Sequence, residues 1–492
     1  MPDPTPLRYV ARITLEAELP LLLASGEDPE WYDAAFVRDA NGLPAIPGTS
    51  LAGALRAAVR RQSGEAQADE LFGYQKQKEG RGSRLSISWA HVHDQSDRPV
   101  DGLRHEGLGD DPVLRQALAG VPRDHVRLGE HGTADAQGSG LYRELAVARG
   151  HRFTFEMMLE GSEDDRDAWT RLRDLILKGD LRLGGKTRRG FGRFACVRWR
   201  QGVFDLRKGD APDGATGFLA VGTRLDGETG LAPIDVPEHE ADPTQGLHAK
   251  MQLEPEGLWL FGGGSAPDEL AGERAPDRAP VSEPVIEWTD DGGSVREHQL
   301  LVPASSVKGA LRHRVLFHAH RLRGAYAEME REDPGAFAEH SALAHADLVE
   351  LFGSAKGADG GKEQPGRVVL KEQPGRVVLD DLHLDDPALD GAHTKRVQHN
   401  ALDRFTGGTR HGLLFDELAL RGAGVRIPFT LTVREPEKVS GDARAALGHA
   451  LEDLAAGRLQ LGAGSGRGHG FFHAPDGVSW TDGGNWVQEA DS

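Results

Sequence analysis

The chain has 492 residues, and its 58 Lys and Arg against 77 Asp and Glu give a formal net charge of −19. This balance excludes a protein that binds nucleic acid over its whole surface, so a nucleic-acid ligand would need locally concentrated basic groups. The single cysteine, Cys196, excludes an internal disulfide and a cysteine-based zinc site. The sequence shows no secretion signal and no apolar run of membrane-spanning length, so we expect a soluble cytoplasmic protein with no membrane partner.

Taken in chain order, four sequence landmarks occur twice, which indicates an internal duplication. The first is a strand with alternating apolar positions at residues 10–16, repeated at residues 248–254. The second is a proline followed by small and hydroxyl residues and then an amphipathic helix, at residues 46–56 and 302–312. We expect one hydroxyl residue to be the N-cap of each helix, Thr49 or Ser50 in the first copy and Ser305 or Ser306 in the second.

The third landmark is Leu-Phe-Gly at residues 71–73 and 351–353, each followed by a polar loop and a strand. The fourth is a Gly-rich loop that follows a helical segment in each copy. These loops occupy residues 181–192 and 459–470. Four landmarks in the same order exclude chance similarity.

Strands and helices mixed in this order predict an α+β fold, and a ferredoxin-like (RRM-like) sheet with two helices accommodates each copy. The predicted boundaries are a first domain at 1–205, a linker at 206–245 and a second domain at 246–475. Within the linker, the composition predicts a short strand near 217–223. A polar tail at 476–492 follows the second domain. A nine-residue sequence repeated at 362–370 and 371–379 predicts a loop insertion at about 354–374.

The segment Asp33-Ala-Ala-Phe-Val-Arg-Asp39, followed by Gly42-Leu-Pro-Ala-Ile-Pro-Gly-Thr-Ser50, resembles the first conserved block of the CRISPR-associated RAMP proteins. These proteins form the backbone of type III RNA-targeting complexes, and the resemblance covers most of both halves. It implies two tandem ferredoxin-like RAMP domains with thumb and insert loops. It also implies CRISPR RNA (crRNA), target RNA, a large signalling subunit, small subunits and other RAMP backbone subunits as partners.

In many such proteins, an Asp in a loop before the Pro-Gly-Ser block supports metal-dependent cleavage of target RNA, and the resemblance places this residue at Asp33. A carboxylate there would hold Mg²⁺ or Mn²⁺, or orient the attacking 2′-hydroxyl. The alternative is a solvated turn residue. In the second copy the alignment places Ser282 at this position, so we expect that domain to bind RNA without cutting it.

The candidate RNA contacts offer backbone N–H groups, hydroxyls or positive charge. From the helix starts they are Gly48, Thr49, Ser50, Arg56, Ser305, Ser306, Lys308 and Arg312. From the Gly-rich loops they are Lys186, Thr187, Arg188, Arg189, Ser465, Arg467 and His469. From the thumb-like region they are Lys395, Arg396, Arg404, Phe405, Arg410 and His411. Phe405 would stack on a base; ordinary capping and structural turns are the alternatives for the helix starts and the loops.

The leading hypothesis is a fused backbone subunit that binds crRNA and cuts target RNA through Asp33. A binding-only scaffold would have the same residues without nuclease activity. A guide-processing endoribonuclease would use histidines for acid–base catalysis. A phosphate-metabolite enzyme using the Gly-rich loops is the remaining alternative, although the first loop lacks the leading glycine of a P-loop.

Overall fold

A computed structural model describes residues 5–26, 31–76, 79–104, 106–126, 140–179, 181–237, 245–264, 276–354, 374–384, 393–422 and 424–488. The chain divides into two compact units. Unit 1 comprises Met1–Thr187, Phe191–Thr244 and Pro284–Glu297. Unit 2 comprises Arg188–Gly190, Gln245–Glu283 and His298–Ser492.

Unit 1 is a mixture of strands and helices. Its strands are β1 (Leu7–Ala17), β2 (Ala34–Ala35), β3 (Ala45–Ile46), β4 (Tyr74–Lys76), β5 (Glu79–Arg81), β6 (Leu85–Ile87), β7 (Ala90–Val92), β8 (Val121–Val126), β9 (Leu141–Ala146), β10 (Arg152–Gly161), β11 (Phe194–Asp205) and β12 (Ala232–Pro233). Its helices are α1 (Gly48–Ser63), α2 (Glu65–Phe72), α3 (Pro112–Ala119), α4 (Arg166–Leu177) and α5 (Ala215–Ala220).

The core of unit 1 lies against one face of an antiparallel sheet with the order β12-β11-β1-β10-β7-β3. Alternate residues of β1 from Leu7 to Leu15 are buried in this core, because successive strand side chains point to opposite faces. Helix α1 buries Leu51, Leu55 and Val59, which lie four residues apart on one face. The predicted opening strand and helix are confirmed.

After β11 the structure describes the predicted linker through residue 237. Helix α5 forms where the composition predicts a short strand. The Arg12 guanidinium of β1 donates hydrogen bonds of 3.1, 2.9 and 2.5 Å to the carbonyls of Val221, Gly222 and Gly227. These long-range contacts hold a polar segment whose own composition is typical of a linker.

Unit 2 contains a second set of elements in the same order. Its strands are β13 (Leu247–Glu256), β14 (Leu258–Trp259), β15 (Gly262–Gly264), β16 (Ala279–Pro280), β17 (Ser282–Thr289), β18 (Gly292–Val302), β19 (Val377–Leu379), β20 (Leu382–Leu384), β21 (Thr394–Leu402), β22 (Thr409–Arg421), β23 (Ile427–Val433), β24 (Phe471–His473) and β25 (Ser479–Trp480). The part of β17 and β18 within Pro284–Glu297 belongs to unit 1. The helices are α6 (Ala304–Arg323), α7 (Ala327–Glu332), α8 (Pro334–Phe352), α9 (Gly441–Ala455) and α10 (Asn485–Gln488).

The sheet of unit 2 has the order β19-β23-β13-β24, so its opening strand β13 is central, as β1 is in unit 1. Residues Leu247, Ala249, Met251 and Leu253 of β13 alternate into the core with α6 and α9. The predicted helix before the second Gly-rich loop is confirmed as α9.

The segment that reads as a polar tail contains β25, which pairs with β13, and helix α10, whose Trp486 is 7% exposed. The predicted insertion at 354–374 lies almost wholly outside the described residues. In the described parts of the chain, no helix is long and apolar enough to cross a membrane.

Candidate nucleic-acid interface

The backbone of the first Gly-rich loop lies so close to the backbone of residues 20–22 that glycine is required. The Gly185 N–H donates to the Leu22 carbonyl at 2.7 Å, and the Gly192 N–H donates to the Pro20 carbonyl at 2.8 Å. Gly184 has φ +80°, and a Cβ on it would lie 2.4 Å from the Leu22 oxygen. No side chain fits at that distance.

The second Gly-rich loop makes the same contacts. The Ala463 N–H donates to the Leu260 carbonyl at 2.7 Å, and the Gly470 N–H donates to the Leu258 carbonyl at 2.9 Å. A Cβ on Gly462 would lie 2.3 Å from the Leu260 oxygen. Packing within each unit therefore accounts for Gly184 and Gly462, and RNA recognition has to be judged from the charged residues of the two loops.

A buried carboxylate joins the first loop to the hairpin of β8 and β9. Glu144 of β9 is 5% exposed, and its Oε2 lies 2.5 Å from Lys186 Nζ and 3.2 Å from His125 Nε2. The Tyr142 ring stacks on the His125 ring at 4.8 Å and lies 4.3 Å from Lys186 Nζ. Burial raises the pKa of Glu144, but hydrogen bonds from His125 and Lys186 outweigh this effect and leave that pKa below its ordinary value.

The same arrangement recurs in unit 2. Glu417 of β22 is 0% exposed, and its Oε2 accepts a hydrogen bond from Arg467 at 2.7 Å. His399 Nε2 and His469 Nδ1 lie 3.0 and 3.2 Å from its Oε1. The Phe415 ring stacks on His399 at 4.9 Å, with the Arg467 guanidinium 5.7 Å from its centroid. We call each buried glutamate, with its histidine, aromatic ring and loop cation, a carboxylate node.

The strand register shows that the two nodes correspond. His125 lies opposite Tyr142 in one hairpin, and His399 lies opposite Phe415 in the other. Each glutamate follows its aromatic residue by two positions. Sequence reasoning missed both glutamates, although the repeated Glu-Leu pairs at 144–145 and 417–418 were a usable signal.

Asp33 lies directly beside the first node. Its side chain is exposed, its N–H donates to the Arg143 carbonyl at 2.8 Å, and its Oδ2 accepts from the Arg143 N–H at 2.7 Å. The next residue, Ala34, pairs with Glu144 in a parallel register. The predicted catalytic carboxylate is thus held by backbone at a defined place on the surface of unit 1.

Ser282 does not occupy the corresponding place in unit 2. It is the first residue of β17, which pairs with β18. Asp277 occupies that place instead. Its Oδ2 accepts from the N–H of Asp416 in β22 at 2.8 Å, as Asp33 Oδ2 accepts from the N–H of Arg143 in β9. The sequence alignment is wrong at this position because it omits the longer connection that follows Asp277.

The hydroxyl residues at the helix starts are not N-caps. Helices α1 and α6 begin at Gly48 and Ala304, directly after prolines, and neither of these two described starts carries a side-chain cap. The Ala304 N–H instead donates to Asp381 Oδ1 at 2.8 Å. The N-cap positions are Pro47 and Pro303, two or three residues before the hydroxyl residues that the sequence predicts as caps. The hydroxyl residues Thr49, Ser50, Ser305 and Ser306 therefore lie inside the first turn.

The cations of these first turns have different surroundings. Lys308 is 6% exposed and donates to the carbonyls of Arg188 and Val377 at 3.0 and 2.6 Å. Burial, together with the charges of Arg189 and Arg188, lowers the pKa of Lys308 to about 7. Its ammonium is therefore used inside unit 2 and does not reach the surface.

Several other candidates also bind the protein. Arg56 donates to the Gly73 carbonyl at 2.9 Å and pairs with Asp69. The Thr187 carbonyl accepts from Arg182 at 3.1 Å. Among the candidates at the helix starts and in the Gly-rich loops, six residues are exposed. They are Thr49, Arg189, Ser306, Arg312, Ser465 and Arg467.

The hairpin of β21 and β22, which we call the thumb hairpin, is the most exposed of the predicted interfaces. Asp403 Oδ1 accepts from the N–H groups of Phe405 and Thr406 at 3.0 and 2.9 Å, which fixes the turn. Phe405 is 99% exposed at its tip. Arg396 pairs with Asp416 at 2.5 Å. The other candidate cations are exposed, and they are Lys395, Arg404, Arg410 and His411. The matching tip in unit 1 lies outside the described residues.

The described residues contain no group of three or more His, Cys, Asp and Glu side chains arranged to hold a metal ion. A single carboxylate at Asp33 suits Mg²⁺ only if substrate phosphates and water complete its coordination, which is how Mg²⁺ is commonly bound.

One protein-family model matches the chain over two regions. The sequence model of the RAMP superfamily matches residues 14–195 and 299–473. A comparison with curated proteins returns no match.

Solved structures give weak likenesses. One is a chain from a cryo-EM structure of type III-B Cmr-beta bound to cognate target RNA, with 17% identity, a TM-score of 0.30, and coverage of 39% of this chain and 60% of that chain. Another is from type III-B Cmr-beta in the apo state, with 13% identity, a TM-score of 0.29, and coverage of 39% and 96%. The match thus spans about 60% of the first relative's length, and likeness of this degree carries no functional weight.

Proposed function

The chain belongs to the RAMP superfamily, whose sequence model it matches in two tandem regions, and on that premise we propose that it is a backbone subunit of a type III CRISPR complex. In this proposal it binds crRNA and cleaves complementary target RNA in unit 1. The observation that carries the proposal is the thumb hairpin, where Phe405 is 99% exposed beside exposed cations in a chain of net charge −19.

This hairpin has the composition of a nucleic-acid wedge. Phe405 presents an aromatic face that stacks on any base, and Arg404 and Arg410 flank it with positive charge. Leu402 and Leu414 are 59% and 61% exposed on its strands. Apolar side chains exposed on a narrow hairpin favour a partner with flat apolar surfaces, such as nucleic-acid bases.

The strand orders support a ferredoxin-like reading of each unit. In unit 1 the first, third and last core strands are neighbours as β11-β1-β10, with β7 beyond β10. In unit 2 the equivalent strands are neighbours as β24-β13-β23, with β19 beyond β23. Helices follow the first and third core strands in both units.

The geometry of Asp33 supports a role in RNA cleavage. In the proposed step the 2′-oxygen of the target forms a bond to the adjacent phosphorus, and the bond from phosphorus to the 5′-oxygen breaks. The products are a 2′,3′-cyclic phosphate and a 5′-hydroxyl. Asp33 orients the 2′-hydroxyl, whose proton passes to water, and the leaving 5′-oxygen takes a proton from water.

Mg²⁺ or Mn²⁺ is the proposed cofactor. Asp33 would hold it together with phosphate oxygens of the bound RNA, because the exposed carboxylate has one oxygen on the Arg143 N–H and can turn the other outward. Such an ion would supply stabilisation of the charge that develops on the phosphate. The proposed partners are crRNA, target RNA, a large signalling subunit, small subunits and other RAMP subunits, assembled in the cytoplasm.

Purification of the native complex, with sequencing of its RNA, tests the binding proposal. Repeat-derived guides support it, and random RNA overturns it. Cleavage by the complex is tested with Asp33→Ala against a control, Asp110→Ala, which removes another exposed carboxylate of unit 1. Loss of a target cut in the first variant alone is expected. Unchanged cutting would favour a binding-only scaffold, and metal-independent cleavage of precursor RNA by the isolated chain would favour histidine catalysis.

A further inference from the structure

The backbone hydrogen bonds that hold the segment containing Asp33 in unit 1 have equivalents in unit 2. The Val37 N–H donates to the Leu23 carbonyl at 2.9 Å, and the Val281 N–H donates to the Phe261 carbonyl at 2.8 Å. Leu23 and Phe261 each follow by one residue the carbonyl that binds the Gly-rich loop of its own unit. Val37 and Val281 therefore occupy the same place in the two units.

Counting back from these valines reaches an aspartate in both units. Asp33 and Asp277 each lie four residues before the valine, within the pattern Asp-x-Ala-x-Val. In each unit, hydrogen bonds hold both the carboxylate of the aspartate and the N–H of the valine. The four-position spacing in the sequence is therefore also the spacing between equivalent places in the two units.

The carboxylates make the same contact. Asp33 Oδ2 accepts from the N–H of Arg143 at 2.7 Å, and Asp277 Oδ2 accepts from the N–H of Asp416 at 2.8 Å. Arg143 and Asp416 are the residues directly before the two node glutamates.

The residues that follow the aspartates also agree. Ala34 pairs in parallel with Glu144, and Arg278 forms a parallel bridge with Glu417. Both aspartates are exposed. The register of the following residue is therefore the same in both units, although the Asp277 N–H donates to Asp416 Oδ1 at 3.1 Å, whereas the Asp33 N–H donates to the Arg143 carbonyl at 2.8 Å.

The connection after the valine explains why sequence alignment missed Asp277. The Ala45 N–H donates to the Val37 carbonyl at 3.1 Å, and the Leu301 N–H donates to the Val281 carbonyl at 2.9 Å. Ala45 lies eight positions after Val37, whereas Leu301 lies twenty positions after Val281. The additional residues form most of β17 and β18. An alignment that matches α1 with α6 and counts back toward the aspartate therefore reaches the wrong residue in unit 2.

We propose that Asp277 is a second catalytic residue, so that each chain cuts its target RNA at two bonds. The inference rests on the proposed function, because it assigns to Asp277 the reaction proposed for Asp33. The chemical step is the same: the 2′-oxygen bonds to phosphorus, the 5′-oxygen leaves, the 2′-hydroxyl proton passes to water and the 5′-oxygen takes a proton from water. Mg²⁺ or Mn²⁺ would be held by Asp277 and RNA phosphates.

The first experiment maps cleavage of end-labelled target RNA by the assembled complex. Asp277→Ala is expected to remove one product set and keep the set that depends on Asp33. Two controls test the assignment. Ser282→Ala, at the position chosen by sequence alignment, and Asp476→Ala, an exposed carboxylate of unit 2, should both leave all products unchanged.

The second experiment measures Mn²⁺ binding by electron paramagnetic resonance. Its target RNA carries 2′-deoxy substitutions at the cut positions, so it binds without reacting. We expect two ions bound per wild-type chain, and one in either Asp33→Ala or Asp277→Ala. RNA affinity measured on the same samples shows whether each variant still assembles on its target.

The possible failures are distinguishable. If Asp277→Ala retains every cut and both ions while Asp33→Ala loses one of each, Asp277 is not catalytic and the proposed function stands. If Ser282→Ala loses a cut that Asp277→Ala keeps, the structural equivalence is overturned. If Asp33→Ala loses neither cut nor ion, the proposed cleavage function itself falls.

Discussion

The Glu417 carboxylate is fully buried and accepts a 2.7 Å hydrogen bond from Arg467, which joins β22 to the second Gly-rich loop. Glu144 and Lys186 make the equivalent contact in unit 1. The sequence predicts that Arg467 and Lys186 bind RNA phosphates, but in the structure each is bound to a carboxylate of its own unit. The node fixes the loop against the strand that bears the hairpin.

Replacing Glu417 should destabilise this region. Glu417→Ala leaves Arg467 without its carboxylate, and because the Arg467 side chain is 34% exposed and keeps part of its hydration, losing this charged hydrogen bond costs about 1.5 kcal/mol. Hydrogen exchange of the β21, β22 and Gly-loop amides measures the loss. Glu254→Ala is the control, since its partner Arg426 is 74% exposed and such a surface pair is worth about 0.5 kcal/mol. Equal effects of the two variants would contradict a special role for the node.

Phe405→Ala should weaken RNA binding without changing stability. The ring is 99% exposed, so its removal leaves the core intact. Stacking of one base on an aromatic ring is worth about 1–3 kcal/mol, which corresponds to roughly a 5- to 150-fold loss of affinity. Binding of target RNA to the guide-loaded complex measures this loss. Leu219→Ala, at a residue 76% exposed in α5, is the matched control. An unchanged affinity for Phe405→Ala would exclude stacking.

Lys308 should make stability depend on pH. Its folded-state pKa is lowered from 10.5 to about 7, so between these values the unfolded chain binds a proton that the folded chain lacks. Stability therefore rises with pH across this window, and the full penalty of burying the charge applies below pH 7. Lys308→Met removes the penalty. The Tm of the variant relative to wild type should be highest below pH 7 and should fall toward pH 10, and a difference independent of pH would contradict the pKa shift.

Cys196 should be unreactive in the folded protein. The thiol is 1% exposed, and burial raises its pKa to about 12. Since the thiolate is the reactive form, a thiol reagent at pH 8 should label no cysteine in the native chain and one after unfolding in guanidinium. Labelling at the same rate in both states would show that the strand β11 is not packed as described.

The hairpin and loop chemistry could be predicted only in part from the sequence. The resemblance to RAMP proteins and a local cluster of cations indicated the thumb-like region, because both signals lie within one short stretch of sequence. The burial of Lys308 and the pairing of Arg467 depend on residues more than 45 positions away in the chain, Val377 and Glu417. Local sequence carries no information about such partners.

By itself, the sequence determined the duplication, the opening strand and first helix of each copy and the helical face of α1, because apolar periodicity and glycine requirements act over a few neighbouring residues. The tertiary structure decided which aspartate of unit 2 corresponds to Asp33. Alignment placed Ser282 there because a long connection changes spacing, whereas backbone hydrogen bonds to β22 preserve the position of Asp277 whatever the length of that connection. Register across a sheet is set by pairing between distant segments, and only the folded chain contains it.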